Sequence, residues 1–260
     1  MMVTSVSRGL AAALLSCAAT AGADVWDLQE HNDDTVATRN SLRHGAEQLH
    51  DLAVRPGPVA DVDWYLVYQN RDSSYEVVVD GISGDAGTPQ LERLAPGGTT
   101  VIQAAGNGTL SMALRWMNTA ALDVGDERVR VSGQGCGTDC GSDDVYSIRV
   151  RETTVYVPRF NNSGTQGTVL LLQAAPAHQA VNVRMVFRTA DGTLLHTIAA
   201  QVPFEGSAVF SLPSYAQLAG QSGHVTIGHD GGYGGLVVKA VAIEPATGFT
   251  FDTPGASLPH

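Results

Sequence analysis

The residues best suited to do chemistry lie between positions 136 and 144. Cys136 and Cys140 enclose three residues, and Asp139, Asp143 and Asp144 share the same glycine-rich stretch. In an oxidising compartment two such cysteines form a small disulfide loop by default, whereas a zinc site would need a second pair. Carboxylates beside glycine-rich turns are the donors that calcium prefers. The stretch predicts a Cys136–Cys140 disulfide and a calcium site at the three aspartates, with solvated turn acids as the alternative.

A second group of acids is spread over the first quarter of the chain. Asp33-Asp34 and Asp61/Asp63 would approach each other if the first and last strands of a sheet are neighbours, which would assemble another set of hard oxygen donors. The histidines are less suggestive of a metal. His44 and His50 do not follow the H-E-x-x-H order. His224 and His229 are five residues apart, which places them on opposite faces of a strand.

Two further motifs are candidates for a catalytic site and a binding site. Gly220–His224 is similar to a nucleophile elbow centred on Ser222, but its last position is histidine and no strand is predicted before it, which favours a plain turn. The loop His229–Gly235 carries Tyr233 at its tip, and loops on a rigid scaffold often supply recognition residues. Tyr233 is therefore a candidate binding residue.

The N-terminal segment has the pattern of an export signal. Arg8 is followed by the apolar run Gly9–Ala19 and an A-x-A site, which predicts cleavage before Asp24 and a secreted or periplasmic protein. The run is too short for a transmembrane anchor. Leu14-Leu15-Ser16-Cys17 also resembles a lipobox, so a lipoprotein anchored through Cys17 is the alternative.

Composition narrows the function classes. The 260 residues carry a formal net charge of -11, which opposes binding to nucleic acid or to an anionic membrane surface. Only 16% of residues are charged and 29 are glycines, as is typical of an all-β protein with many turns.

Short strands separated by turn signals recur along the whole chain, and no helix of crossover length lies between them. We predict an all-β fold of two tandem antiparallel β-sandwich domains after a signal peptide. The predicted divisions are 1–23 for the signal, 24–152 and 153–255 for the sandwiches, and 256–260 for a frayed tail. Ser41–Leu52 is predicted as either a short helix or an irregular segment.

The first half resembles a known family. Asn32–Thr35, Asp61–Val67 and Asp144–Val150 together look like the bacterial pre-peptidase C-terminal domain, a β-sandwich appended to secreted proteases and other exported proteins. The resemblance implies a role similar to that of adhesive and collagen-binding modules, and some relatives bind calcium. Such domains usually accompany a catalytic domain, for which this chain has no room. The second half looks like a generic secreted bacterial β-sandwich.

These observations predict a non-catalytic protein of the cell envelope or extracellular space that serves adhesion, substrate targeting or as a surface scaffold. Its expected partner is an extracellular protein or glycan, with calcium as the one cofactor considered. The alternatives are a hydrolase or hydrolase inhibitor, and a lipid-anchored periplasmic accessory protein.

Overall fold

The period-2 pattern of Val181–Arg188 is typical of a strand, and strands are the main regular structure of the described residues. The computed structural model describes residues 26, 33–53, 61–84, 88–106, 111–119, 125–134, 140–175 and 179–259. The signal segment and Cys17 lie outside these residues. The strands are β1 Ser41–Leu42, β2 Glu47–Asp51, β3 Val62–Gln69, β4 Ser74–Asp80, β5 Thr88–Leu94, β6 Val101–Gly106, β7 Met112–Met117, β8 Gly125–Gln134, β9 Val145–Glu152, β10 Val155–Asn161, β11 Gly167–Ala174, β12 Val181–Arg188, β13 Leu194–Val202, β14 Ser207–Ser211, β15 Ser222–His229, β16 Leu236–Glu244 and β17 Phe249–Pro254.

The strands form four sheets, two from each half of the chain. In the first half the orders are β1-β3-β8-β5-β6 and β2-β9-β4-β7. In the second half they are β10-β15-β12-β13 and β14-β11-β16-β17. Pairing is antiparallel except between β1 and β3, where Ser41 and Leu42 run parallel to Leu66 and Val67. The all-β fold predicted from the sequence is confirmed.

Each half has its own hydrophobic core. One cluster draws its buried residues from positions 42–150, including Tyr65, Val77 and Ile148, and the other from positions 155–240, including Phe160 and Met185. The predicted core face of β12 is confirmed, because Val181, Val183, Met185 and Phe187 are at most 2% exposed. These clusters fit two sandwiches, with the exact domain boundary remaining a prediction.

The segment Ser41–Leu52 contains strands and no helix. The sequence left a short helix and an irregular segment as alternatives here, and neither forms. In β2 the side chain that faces inward is His50, at 1% exposure, while Leu49 points outward at 65%. This strand inverts the usual hydrophobic alternation, because a polar group occupies the buried position. The cause of the inversion is the site described below.

The connection between the halves is short and buried. Thr153 and Thr154 separate β9 from β10 and are at most 1% exposed. Ser74 holds both residues: its carbonyl accepts from the Thr153 amide at 2.8 Å, and its amide donates to the Thr154 hydroxyl at 2.9 Å. The junction at the predicted boundary between residues 152 and 153 is therefore a buried, hydrogen-bonded piece of chain.

The C-terminal segment is also held in place. Ala256 pairs with Tyr156 through two backbone hydrogen bonds of 2.8 and 2.9 Å, and the Leu258 carbonyl accepts from the Tyr233 hydroxyl at 2.6 Å. Residues 256–259 thus differ from the frayed tail expected from the sequence, because they bond to both halves. His260 lies outside the described residues. Among the described residues, no helix is long and apolar enough to cross a membrane.

Candidate functional site

Three ionisable side chains meet inside the first half. Asp33, His50 and Asp63 are each at most 1% exposed, and one ligand-type atom from each lies within 4.8 Å of the other two. We call these residues the buried acid–histidine cluster. The predicted approach of the Asp33 and Asp63 regions is confirmed. His50 was missed, because a lone histidine in a polar segment carries no motif.

Strand geometry and one loop position the cluster. Asp63 points inward from β3 next to Tyr65, and His50 points inward from β2. Asp33 is fixed beside β3 because its carbonyl accepts from the Trp64 amide at 2.6 Å. Its Oδ2 lies 3.2 Å from the Asn40 amide nitrogen and 3.5 Å from His50 Nδ1.

Tyrosines connect the two sides of the cluster. The Tyr65 and Tyr146 hydroxyls are 2.5 Å apart, and Tyr146 donates a short hydrogen bond to Asp63 Oδ2. The His50 ring lies between the rings of Trp26 and Tyr146, with centroids 5.6 and 5.5 Å away. Burial, followed by the negative charge of Asp63, raises the pKa of Tyr146 well above its usual value, so Tyr146 stays a neutral donor.

The donor set suits a cation of a particular kind. Two carboxylates and one imidazole are ligands that zinc and similar ions accept, whereas calcium prefers oxygen alone and would use only Asp33 and Asp63. Without a metal, Asn40 donates to Asp33 and Tyr146 donates to Asp63, and these hydrogen bonds help to hold the segment around Asp33 against the sandwich.

The predicted calcium site lies elsewhere and is only partly described. Asp139 and Cys136 lie outside the described residues. Asp143 is exposed, and Asp144 is buried with its Oδ2 accepting from the Gly141 amide at 2.5 Å, which is a turn-stabilising contact. Cys140 is 6% exposed and belongs to the core of the first half. The disulfide and the calcium site at 139–144 therefore stay predictions.

The two halves are joined by an ionic contact at Asp72. Its carboxylate accepts from Arg184 Nη1 at 2.5 Å and from Arg188 Nη2 at 2.8 Å. Both arginines lie on the face of β12 that points away from its own core, with Val186 between them at 0% exposure. Burial raises the pKa of Asp72, but the hydrogen bonds and charges of the two arginines outweigh it, and the pKa is lowered overall.

Tyr233 belongs to the same junction. Its amide donates to Glu76 Oε2 at 3.1 Å, and Glu76 also forms an ion pair with Arg115 at 2.7 Å. The guanidinium of Arg151 lies 5.0 Å from the Tyr233 ring centroid, and the ring is half-buried. The structure places this predicted binding residue between the halves, where its described contacts are intramolecular.

A cavity of about 270 Å³ opens in the first half beside the junction. Its walls include His44, Tyr68, Tyr75, Val150 and Glu152. Tyr68 is 54% exposed and Glu152 is 5% exposed, so the cavity walls combine an exposed tyrosine with a buried glutamate. His44 links the cavity to the second half, because its Nε2 lies 2.9 Å from the Pro259 carbonyl.

The candidate nucleophile Ser222 and the histidines His224 and His229 all lie in β15. Ser222 begins β15 and pairs with Asn161, and His224 follows in the same strand, so the strand–turn–helix form of a nucleophile elbow is absent at this position. His229 ends β15 at 1% exposure. Burial lowers the pKa of His229 to about 4, despite its hydrogen bond to the Thr153 backbone, so the ring is neutral at pH 7.

Comparison with known proteins gives only distant likenesses. No protein-family model and no curated protein matches the chain. Among solved structures, the extracellular region of zebrafish Gpr126/Adgrg6 is similar at 9% identity and a TM-score of 0.27, over 82% of this chain and 30% of that one. A Bacteroides uniformis beta-glucuronidase matches at 12% identity and a TM-score of 0.22, over 76% and 26%. A Parabacteroides merdae beta-glucuronidase matches at 7% identity and a TM-score of 0.23, over 76% and 27%.

The chain thus spans less than a third of the length of each of these structures. At such identities and TM-scores the likenesses carry no argument about fold or activity.

Proposed function

We propose that this chain is a non-catalytic exported protein whose two β-sandwiches act as a binding module for an extracellular protein or glycan. The observation that supports this most directly is the cavity beside the junction, whose walls include the exposed Tyr68 and the buried Glu152. Aromatic rings next to a few fixed polar groups are typical of recognition sites. The export signal and the resemblance to the pre-peptidase C-terminal domain favour the same proposal.

The rigid junction gives this proposal a second support. Asp72 and Glu76 of the first half both bond to the second half, and the linker residues Thr153 and Thr154 are buried. Immobilised parts lose less conformational entropy when a partner binds. A surface made of both halves would thus be presented in one fixed shape.

The test is a matrix-protein and glycan array probed with the protein beginning at Asp24. We expect a ligand that is retained by the wild type and lost in Tyr68→Ala, because Tyr68 is exposed and its truncation leaves the core intact. Val209→Ala is a matched control, since Val209 is a 62% exposed apolar residue of β14 in the second half. Retention of every ligand by Tyr68→Ala would place binding elsewhere.

The two alternatives need separate measurements. Turnover of an ester or peptide that disappears in Ser222→Ala would establish a hydrolase instead of a binding module. Mass spectrometry of the mature N-terminus distinguishes a free Asp24 amine from a lipidated Cys17, and thereby a released protein from an anchored accessory protein.

A further inference from the structure

Among the described residues of the first half, four glutamates are buried, and three of them are paired with an arginine. Glu76, Glu92 and Glu127 are at most 6% exposed, and each pairs with an arginine, namely Arg115, Arg130 and Arg93, at 2.5 to 2.7 Å. A buried carboxylate requires such compensation because transfer from water into the protein disfavours its charge. These pairs show how the fold neutralises its interior acids.

Glu152 is the exception. It is 5% exposed, yet in the described part of the chain its carboxylate contacts only neutral donors. The Tyr156 hydroxyl donates to Oε1 at 2.5 Å, and the Asn70 amide nitrogen lies 3.5 Å from Oε2. Burial and the hydrogen bond to Glu152 raise the pKa of Tyr156, so this hydroxyl stays neutral and supplies no charge.

The basic side chains nearby do not provide the missing counterion. His44 accepts from the Glu152 amide through Nδ1 at 2.8 Å, and its other nitrogen faces the Pro259 carbonyl, which is the pattern of a neutral ring donating through Nε2. Arg43 also lines the cavity but is exposed, and it forms no ion pair with any described residue. Arg151 points away and stacks on Tyr233.

The uncompensated Glu152 lines the cavity together with two tyrosines. Tyr75 and Tyr68 line the same space, and the negative charge of Glu152 contributes to a Tyr75 pKa raised to about 12, after burial as the first cause. A carboxylate framed by tyrosine rings is suited to an ammonium or guanidinium group, which gains both a charge-assisted hydrogen bond and a cation–π contact.

The size of the cavity suits one long side chain. Its volume of about 270 Å³ lies near the lower end of the roughly 300–1,000 Å³ of pockets that enclose a whole small molecule. We propose that this cavity takes one lysine or arginine side chain of a bound partner, with Glu152 as its counterion and Tyr68 and Tyr75 as its aromatic walls. This inference rests on the proposed binding function and names the chemistry that the partner presents. The chain's net charge of -11 favours the approach of such a basic partner.

Three capped amino acids test the charge requirement by titration calorimetry or chemical-shift titration against the protein beginning at Asp24. N-acetyl-arginine methylamide and N-acetyl-lysine methylamide carry the cation, and N-acetyl-citrulline methylamide is the neutral isostere of the arginine probe. We expect the two cationic probes to bind at least ten times more tightly than citrulline. Their affinity should fall at high salt, because solvent ions screen the attraction.

Two variants locate the site. Glu152→Gln keeps an acceptor for Tyr156 but removes the charge, and we expect it to lower the affinity for the cationic probes at least tenfold. Tyr68→Ala, at an exposed position, should lower it several-fold and serves as the deciding variant if Glu152→Gln fails to fold. Glu205→Gln, in an exposed turn of the second half, is the control with the same change of net charge.

Equal affinity for arginine and citrulline probes would overturn the inference, as would unchanged affinity in Tyr68→Ala or in folded Glu152→Gln. Absence of binding by every capped probe would also overturn it. The proposed binding function is judged separately, by the array with Tyr68→Ala. If the wild type retains a glycan that Tyr68→Ala loses, and no capped probe binds, the proposed binding function stands and the inference of a basic side chain in the cavity is refuted.

Discussion

The ionic contact at Asp72 allows a sharp test of how the halves are coupled. Asp72 has a φ of 60°, in the left-handed region where asparagine is tolerated far better than most residues. Asp72→Asn therefore removes the charge and leaves the backbone unstrained. Asp72→Ala removes the same charge and adds left-handed strain of about 1 kcal/mol.

The expected loss follows from the geometry. Removing one partner of a fully buried ion pair costs about 3–5 kcal/mol. Arg184 and Arg188 are 26% and 15% exposed, so solvent screens part of the contact, and we expect Asp72→Asn to lower the free energy of unfolding by about 2 kcal/mol. The alanine variant should lose about 3 kcal/mol, the difference being the strain.

The dependence on pH has a definite sign. The folded-state pKa of Asp72 is lowered from 3.8, so its contribution is fully present above that value and is lost as the pH falls through the folded pKa. The difference between wild type and Asp72→Asn should therefore be constant from pH 5 to pH 7 and should shrink below about pH 4.

Equilibrium urea unfolding with two probes measures both effects. All three tryptophans lie in the first half, so their fluorescence reports that half, whereas far-ultraviolet circular dichroism reports both. We expect coincident transitions in the wild type and separate ones in Asp72→Asn. Asp252→Asn is the control, because the Lys239–Asp252 pair is about half exposed and should contribute less than about 1 kcal/mol. Equal effects of the two substitutions, or coincident transitions in Asp72→Asn, would refute the coupling.

Three further outcomes are expected. The pKa of His229 is lowered from 6.5 to about 4 in the folded protein, so the unfolded state takes up a proton more readily as the pH falls through this range. In the wild type this uptake should lower the free energy of unfolding by about 3 kcal/mol between pH 6.5 and about pH 4, and His229→Gln should flatten that decline. An unchanged pH profile in the variant would contradict this. Joint substitution of Cys136→Ser and Cys140→Ser should lower the melting temperature only modestly. A disulfide that closes so short a loop contributes less than the roughly 3 kcal/mol expected for a fifteen-residue loop. Two free thiols in the native protein would rule out the disulfide. A rise in melting temperature on adding zinc should be lost in Asp63→Asn, because Asp63 lies with Asp33 and His50 among the described residues. A rise on adding calcium should weaken in Asp143→Asn, because carboxylate oxygens are the donors that calcium prefers. A melting curve that does not change with one of these ions would contradict the corresponding site.

Strand periodicity carried most of the fold prediction. The pattern of β12 identifies the strand and its core face, because four buried apolar residues alternate with four others, of which three are polar and only Val186 is apolar. The strands β1, β2, β5 and β17 were not predicted, and β1 is only two residues long. In β2 the buried position is taken by His50, in β5 proline follows the first residue, and in β17 both phenylalanines are at least 50% exposed.

The sequence predicted residues of the candidate sites only where acidic residues lie in recognisable segments. Asp33 and Asp63 lie in segments that are separately recognisable, but Asp33 reaches Asp63 from a loop beside β3 and not through the pairing of two strands. Glu152 has no such signal, because its significance depends on the absence of an arginine that accompanies Glu76, Glu92 and Glu127. Whether a buried glutamate has an arginine partner depends on which strands lie side by side in the fold, and the local sequence around Glu152 does not show it.

The buried connection from β9 to β10 has a mechanical consequence. A pulling force between the halves would enter the first half through β9, which is flanked on both sides by β2 and β4. Its registered pairs with both neighbours would bear the load in shear together, so extraction requires both ladders to break. The same force would enter the second half through β10, which pairs with β15 as a sheet-edge strand and has an irregularity between Val157 and Phe160. Under tension the second half would therefore yield first, and the cavity at Glu152 would keep its shape while the chain extends.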